Sequence, residues 1–265
     1  MASELGVAAA RPVIVQDWNN TIVRLGHTGL VAKVGTSHFR DAVLESLERE
    51  LAVSAYLADR AAPVVGPAEG VPAGPYASHG LTVTLWRYVR SLPGAEFEPA
   101  AAAAALTVVH ERLIGFTGRL PVFTVELDDA ERLLRPDRSP ALAIADRTFL
   151  LGVVGELRES LTGPATAYRP LHGSPHAANW LLSAGGPLLL DFETACLGPV
   201  EWDLSALGDD VLALFPDVDL GLIENMRRMR SVCGAAMCWV APDRSREVGE
   251  AAVVHLKLLR GQSLE

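Results

Sequence analysis

The sequence predicts an α+β protein of two lobes: a small antiparallel sheet with one helix over residues 1–90, and a larger, mainly α-helical lobe over residues 91–265. Three observations carry the prediction. Apolar and β-branched runs separated by turn residues fill the N-terminal part of the chain. One segment among them, Asp41 to Arg60, changes to the helical period. Beyond Pro93 the pattern is helical, broken by one pair of strand-like runs between Trp180 and Leu190.

Pro12 to Gln16 is a short apolar run, DWNN at Asp17 to Asn20 is turn chemistry, and Thr21 to Leu25 is β-branched and apolar. GHTG at Gly26 to Gly29 turns the chain into Leu30 to Val34, so three strands form a meander. In the helix, Val43, Leu44, Leu47, Leu51, Val53, Ala55 and Leu57 make one broad apolar face over about five turns. Ala61 to His79, rich in Pro, Gly and Ala, reads as loop with one short strand at Val64 and Val65. Leu81 to Val89 alternates like a strand and closes the first lobe.

In the second lobe an alanine run, Ala100 to Ala105, leads into the helical LTVVHERLIGF. A loop around Leu120 to Asp128 precedes a helical region, Asp129 to Leu161, interrupted at Pro136 and Pro140. Trp180 to Leu182 and Leu188 to Leu190, joined by SAGGP, predict a hairpin. Three further helical patterns cover Leu204 to Leu214, Leu220 to Val240 and Arg244 to Arg260.

A chain of 265 residues, 49% hydrophobic and 21% charged, buries a core without disulfides or metal staples. Its net charge of −9 argues against nucleic acid, which needs a concentrated positive surface, and suits a cationic partner better. Cys196, Cys233 and Cys238 fall in no metal-ligand pattern and read as reduced packing residues. At the N-terminus, Glu4 stands where a signal peptide wants positive charge, and the apolar run is too short to span a membrane. No membrane partner and a cytoplasmic location are therefore expected.

The predicted hairpin gives the chemistry its place. Asn179 begins one strand and Asp191 ends the other, so a carboxamide and a carboxylate meet at one open mouth. Two hard oxygen donors there suit Mg²⁺, which takes one or two protein ligands and fills its shell with water and phosphate oxygens. Taken alone, the pair equally fits a loop cap and a strand end. Lys33, the only charge in the apolar run LVAKV, needs either an edge position in solvent or a partner.

The stretch from His172 to Asp203, HGSPHAANWLLSAGGPLLLDFETACLGPVEWD, resembles the aminoglycoside phosphotransferase and choline kinase family. There a catalytic loop H-G-D-x-x-x-x-N precedes a hairpin, a D-F/I-x element and a G-P-x-x-x-D-L-A segment; His172, Gly173, Asn179, Asp191, Phe192 and Gly198 to Leu207 match it. The resemblance implies a protein-kinase-like fold and an ATP- and Mg²⁺-dependent transfer of phosphoryl to a small-molecule hydroxyl. Asn179 and Asp191 would hold Mg²⁺, and His172 and Asp203 would support the loop. The family's R-E-x-x-x-x-x-x-L-A pattern, matched by Arg49, Glu50, Leu57 and Ala58, makes Glu50 the partner of Lys33, with Glu48 solvated on another face. The backbone of Arg87, Tyr88 and Val89 would take the adenine edge, covered by Trp86 or Tyr88. The turn at Asp17 to Thr21 would lie over the phosphates, though it has no glycine-rich pattern and the chain has no GxxxxGK[ST].

Ser174 departs from the family, standing where the catalytic loop has the aspartate that orients the acceptor hydroxyl and takes its proton. A slower kinase in which His176, Glu193 or the substrate takes the proton is one reading. A nucleotide-binding pseudokinase is another, and a substitution at an otherwise intact active site a third. The acceptor is expected near Asp209, Asp210, Asp217, Asp219 and Glu224, although such carboxylates also read as solvated helix ends. A metal hydrolase using His172, His176 and Asp191 is disfavoured, because Gly173 and Pro175 prevent the helix that would bring two imidazoles together. Neither the acceptor nor the oligomeric state is marked in the sequence.

Overall fold

The N-terminal apolar runs pair into one antiparallel sheet in the computed structural model, which describes residues 11–17, 20–36, 43–92, 97–161 and 167–262. Strands β1 (Val13–Asp17), β2 (Thr21–Arg24) and β3 (Leu30–Val34) form the expected meander. Strand β5 (Leu81–Arg87) adds to β3, and β4 (Tyr76–Ser78) to β5, in the order β1-β2-β3-β5-β4. Period-two alternation splits β3 between two faces. Leu30 and Ala32 join Leu25, Val83 and Leu85 in a buried cluster, whereas Lys33 points the other way, opposite Thr84. Lys33 thus sits on the central strand rather than an edge, which removes the solvated alternative.

Helix α1 (Val43–Ala58) follows β3, with Leu47, Glu50, Leu51, Val53, Ser54 and Leu57 buried. The first residues of the predicted helix, Asp41 and Ala42, lie outside the described residues, as do Trp18 and Asn19 of the predicted turn, Pro93, and the N-terminal segment through Ala10. Two expectations change in the connection from α1 to β5. Val64 and Val65 form no strand; they bind the second half of the predicted hairpin, through an isolated Val64–Leu189 bridge and a Val65 N–H to Leu189 carbonyl bond of 2.9 Å. Strand β4 appears where loop was expected, because three residues are too few to show a period.

The described chain divides into two compact units. One joins the chain up to Leu120 with Arg169–Leu197 and Leu207–Pro216; the other holds Pro121–Tyr168, Gly198–Ala206 and the chain from Asp217. In the first unit, helix α2 (Pro99–Leu113) starts on a proline whose missing N–H costs a helix nothing at that position, and it buries Ala102, Ala103, Ala105, Leu106 and Val109. Its alanines permit close packing against a hairpin strand, β8 (Gly186–Leu189), and against β6 (Arg169–Leu171), which pairs with β9 (Cys196–Gly198). The hairpin partner, β7 (Trp180–Ser183), pairs antiparallel with β8 across a turn tighter than SAGGP suggests. Ser183 Oγ closes it, accepting from Gly185 N–H at 3.1 Å and donating to the Gly186 carbonyl at 2.9 Å.

The second unit is helical: α3 (Val125–Leu133), α4 (Ile144–Leu161), α5 (Val200–Leu204), α7 (Leu220–Cys238) and α8 (Arg246–Leu259). The expected helix from Leu204 to Leu214 is divided into α5 and, in the first unit, the short α6 (Asp209–Leu212). Helix α3 begins inside the predicted loop, where Glu126 and Asp128 in its first turn favour the positive end of a helix. Helix α7 packs against α3, α4, α5 and α8 through Ile223, Met226, Met229, Val232, Ala235 and Ala236. Asp219 caps α7, accepting from Leu222 N–H at 3.0 Å, which gives this candidate acceptor ligand a structural use. No described helix is long and apolar enough to cross a membrane.

Leu47 has no exposed surface, whereas its neighbour Glu48 is exposed. Leu47→Ala is expected to lower the unfolding free energy by about 2–5 kcal/mol in urea titrations, and Glu48→Ala to change it by less than about 0.5 kcal/mol.

Candidate active site

Lys33 leaves β3 into a ring of carboxylates within the first unit. Its Nζ lies 2.8 Å from Glu50 Oε2, 2.7 Å from Asp191 Oδ1 and 3.3 Å from Glu193 Oε2. Glu50 comes from the buried face of α1, as the family pattern implies, while Glu48 is exposed. Asp191 follows β8 in a left-handed conformation (φ 70°, ψ 60°), a region where a short polar side chain is tolerated better than most. The chain then runs into a 3₁₀ turn, Phe192–Thr194, which carries Glu193 inward.

The loop before the hairpin is held through its main chain. His172 is fully buried and its ring stacks on Phe192 at 4.4 Å between centroids. Its Nδ1 accepts from Ser174 N–H at 3.1 Å, so the ring proton sits on Nε2, which donates to the Leu190 carbonyl at 3.0 Å. Gly173 has φ +91°, and a Cβ there would lie 2.0 Å from the Thr194 carbonyl oxygen, so this position requires glycine. Asn179 closes a 3₁₀ turn, Ala177–Asn179, just before β7. Its Nδ2 donates to the Ser174 carbonyl at 2.8 Å and approaches His176 Nε2 at 3.4 Å. These contacts use the amide nitrogen and leave Oδ1 as the atom for a hard cation. The Leu190 N–H to Asn179 carbonyl bond, 3.1 Å, closes the mouth that the hairpin was expected to form.

One ammonium faces three carboxylates, and the charges show it. Burial works to lower the Lys33 pKa, but Glu50, Asp191 and Glu193 together hold it well above its ordinary value. Glu50 is pushed up to about 8, first by burial and then by repulsion from Asp191 and Glu193, against the pull of Lys33. Burial foremost holds the proton on Glu50, with the neighbouring carboxylates adding to it, while the three acids hold the proton on Lys33. One oxygen each from Glu50, Asp191 and Glu193 lies within 4.8 Å of the others, a hard-oxygen set suited to a divalent cation.

The remaining expected residues fall as follows. Ser174 is half-buried and His176 exposed. Glu193 is buried, and its Oε2 already accepts from Asn20 Nδ2 at 2.9 Å beside Lys33. Asp203 is fully buried on α5, in the second unit. At the end of β5 the Arg87 N–H binds the Gly66 carbonyl (3.3 Å) and the Tyr88 N–H the Gly29 carbonyl (2.8 Å). Of those three amides, Val89 alone is without such a partner among the described residues. Trp86 is buried with its indole N–H on Thr84 Oγ1, a packing role, and Tyr88 lies under Arg24, 4.2 Å from ring centroid to guanidinium. Sequence reasoning missed two residues. Asn20 was read only as turn chemistry, and Arg49 only as part of a pattern; Arg49 Nε and Nη2 both donate to the Glu193 carbonyl, at 3.1 and 2.6 Å.

The sign of the Glu50 shift sets a pH dependence. The unfolded chain ionises this carboxyl near 4.5 while the folded protein keeps its proton to about 8. Its contribution to stability is therefore complete below 4.5 and lost as pH rises through about 8. In metal-free buffer, the unfolding free energy from urea titrations is expected to fall across this window, and Glu50→Gln, which cannot ionise, to flatten the fall.

A family model described as the phosphotransferase enzyme family matches residues 11–229. Among solved structures, amicoumacin kinase hAmiN in complex with AMP-PNP, Ca²⁺ and Ami is similar at 13% identity and a TM-score of 0.68, over 94% of this chain and 88% of that one. The GDP and kanamycin complex of APH(2")-IIia is similar at 16% identity and a TM-score of 0.69, over 98% and 95% of the two chains. Choline kinase LicA from Streptococcus pneumoniae gives 13% and 0.67, over 98% and 95%. Comparison with curated protein sequences gives no match. The family match takes in the lysine strand, its helix, the catalytic loop and the hairpin, and the chain belongs to the phosphotransferase enzyme family, with its protein-kinase-like fold.

Proposed function

We propose that this chain transfers the γ-phosphoryl group of ATP to a hydroxyl of a small molecule, with residues 1–90 as the nucleotide lobe and residues 91–265 as the catalytic and acceptor lobe. The observation that carries the reading is the buried Lys33, clasped by Glu50 and by Asp191. A lysine so placed is aimed at nucleotide phosphates, and Glu50 fixes its direction. Asn179 Oδ1 and Asp191, with Glu193 beside them, would hold Mg²⁺, which when bound neutralises charge building on the phosphates. The backbone of Arg87, Tyr88 and Val89 would offer polar groups to a base, the Val89 N–H among them having no main-chain partner among the described residues. A complex with AMP-PNP and Ca²⁺ in the solved kinase hAmiN supports nucleotide and divalent-cation use. A choline kinase among the similar structures and the net charge of −9 support a small cationic alcohol as acceptor, met in the cytoplasm where ATP is supplied.

Ser174 sets the rate. Phosphoryl transfer passes through a loose transition state in which positioning and charge neutralisation carry most of the catalysis, so a site without its base still works slowly. Glu193 is committed to Lys33 and Asn20, which leaves His176 or solvent to take the acceptor proton. A second reading, a nucleotide-binding protein without turnover, is favoured by the same serine.

Transfer of labelled γ-phosphate from Mg²⁺-ATP to a panel of hydroxylated amines separates the two. Wild type is expected to turn over slowly, Asp191→Ala to fall to background, and Ser174→Asp to gain about 10²- to 10⁴-fold, the usual range for a general base. Binding of AMP-PNP with no transfer by either wild type or Ser174→Asp would establish the second reading. Unchanged turnover in His176→Ala would remove that histidine from the mechanism.

A further inference from the structure

Glu193 is gripped at both ends by side chains remote in sequence. Its carboxylate Oε2 accepts from Asn20 Nδ2 at 2.9 Å, across 173 residues. Its main-chain carbonyl accepts two bonds from Arg49, Nε at 3.1 Å and Nη2 at 2.6 Å, across 144 residues. The turn that carries Glu193 is three residues long and closes through one main-chain bond, Ala195 N–H to the Phe192 carbonyl at 3.0 Å. A turn so short has little rigidity of its own. Asp191, immediately before it, sits in a left-handed backbone conformation that its surroundings have to maintain.

Arg49 and Glu50 are consecutive on α1. One helix therefore delivers the partner of Lys33 and, from the next residue back, a planar two-donor grip on the Glu193 carbonyl. Asn20, immediately before β2, brings the β1–β2 connection to the same residue. We infer that Arg49 and Asn20 are positioning residues for the divalent-cation site: they fix Glu193 from both ends, and with it the Asp191 carboxylate two residues earlier. On this reading neither would touch nucleotide or metal. Arg49 suits this task better than lysine, since a guanidinium presents two donors in a fixed plane and an ammonium cannot span the carbonyl in the same way.

The inference rests on the proposed nucleotide and Mg²⁺ reading, and its test separates the two. AMP-PNP binding is titrated with Mg²⁺, and measured again in EDTA, for wild type, Arg49→Met, Arg49→Lys and Asn20→Ser, each shown folded by circular dichroism. Residues that orient metal ligands from behind usually change metal affinity about 10- to 100-fold, so the half-saturating Mg²⁺ is expected to rise by that factor in Arg49→Met and Asn20→Ser. Arg49→Lys should lie between them and wild type, and AMP-PNP affinity in EDTA should hold. A purely structural role would weaken binding with and without metal in proportion, or leave both unchanged, and either result overturns the inference. If Arg49→Met fails to fold, Arg49→Lys and Asn20→Ser decide on the same criterion. If wild type shows no Mg²⁺-dependent AMP-PNP binding, the nucleotide reading falls. Water-proton relaxation with Mn²⁺ alone then judges the positioning role: weaker Mn²⁺ binding in the variants supports it, and equal or absent binding overturns it.

Discussion

A lysine buried among three acids sets the terms for everything around it. An ammonium with 5% exposure persists only where polar or anionic partners replace its lost water, and here Glu50 on α1 and Asp191 and Glu193 after β8 supply them. The sheet supplies the rigid base, because Lys33 sits on a central strand between β2 and β5. The three acids raise the Lys33 pKa, and burial first, then the neighbouring carboxylates, raises that of Glu50. A cluster of one ammonium and three acids is a place that would accommodate added positive charge.

The catalytic loop is organised differently, around main-chain atoms. His172 takes the N–H of Ser174 and gives its own proton to the Leu190 carbonyl, and Asn179 takes the carbonyl of Ser174. Gly173 lets the chain pass against Thr194. In none of these contacts does the side chain at position 174 take part, so the loop's shape is independent of whether a serine or an aspartate stands there. The departure from the family pattern takes no strut from the scaffold. On the proposed reading, residues for a cation and a nucleotide are present while the carboxylate base is not.

Much of the fold was legible because it is local. The meander, α1, the alanine-rich α2 and the hairpin each follow from period, turn residues or helix propensity within a short window. The exceptions are instructive. Val64 and Val65 look like a strand but serve as a tether for Leu189, and β4 is too short to announce itself. Asp219, an apparent ligand, turns out to cap α7. In each case the side chains were read correctly as to type, and a long-range partner decided their use.

Within the site, Lys33 stood out as a lone charge in an apolar strand and Asn179 and Asp191 as two ends of a hairpin, and the family resemblance gave them their roles and Glu50 its pairing. His172 and Gly173 were legible only through the resemblance to the family's loop pattern. The convergence of Glu193 on Lys33 was not, nor were its grips by Asn20 and Arg49, nor the capture of the Arg87 and Tyr88 amides by Gly66 and Gly29. Those contacts join distant stretches whose approach depends on how the sheet, α1 and the hairpin pack together. Local pattern records which way a side chain points along its own element; only the packed chain determines what it meets.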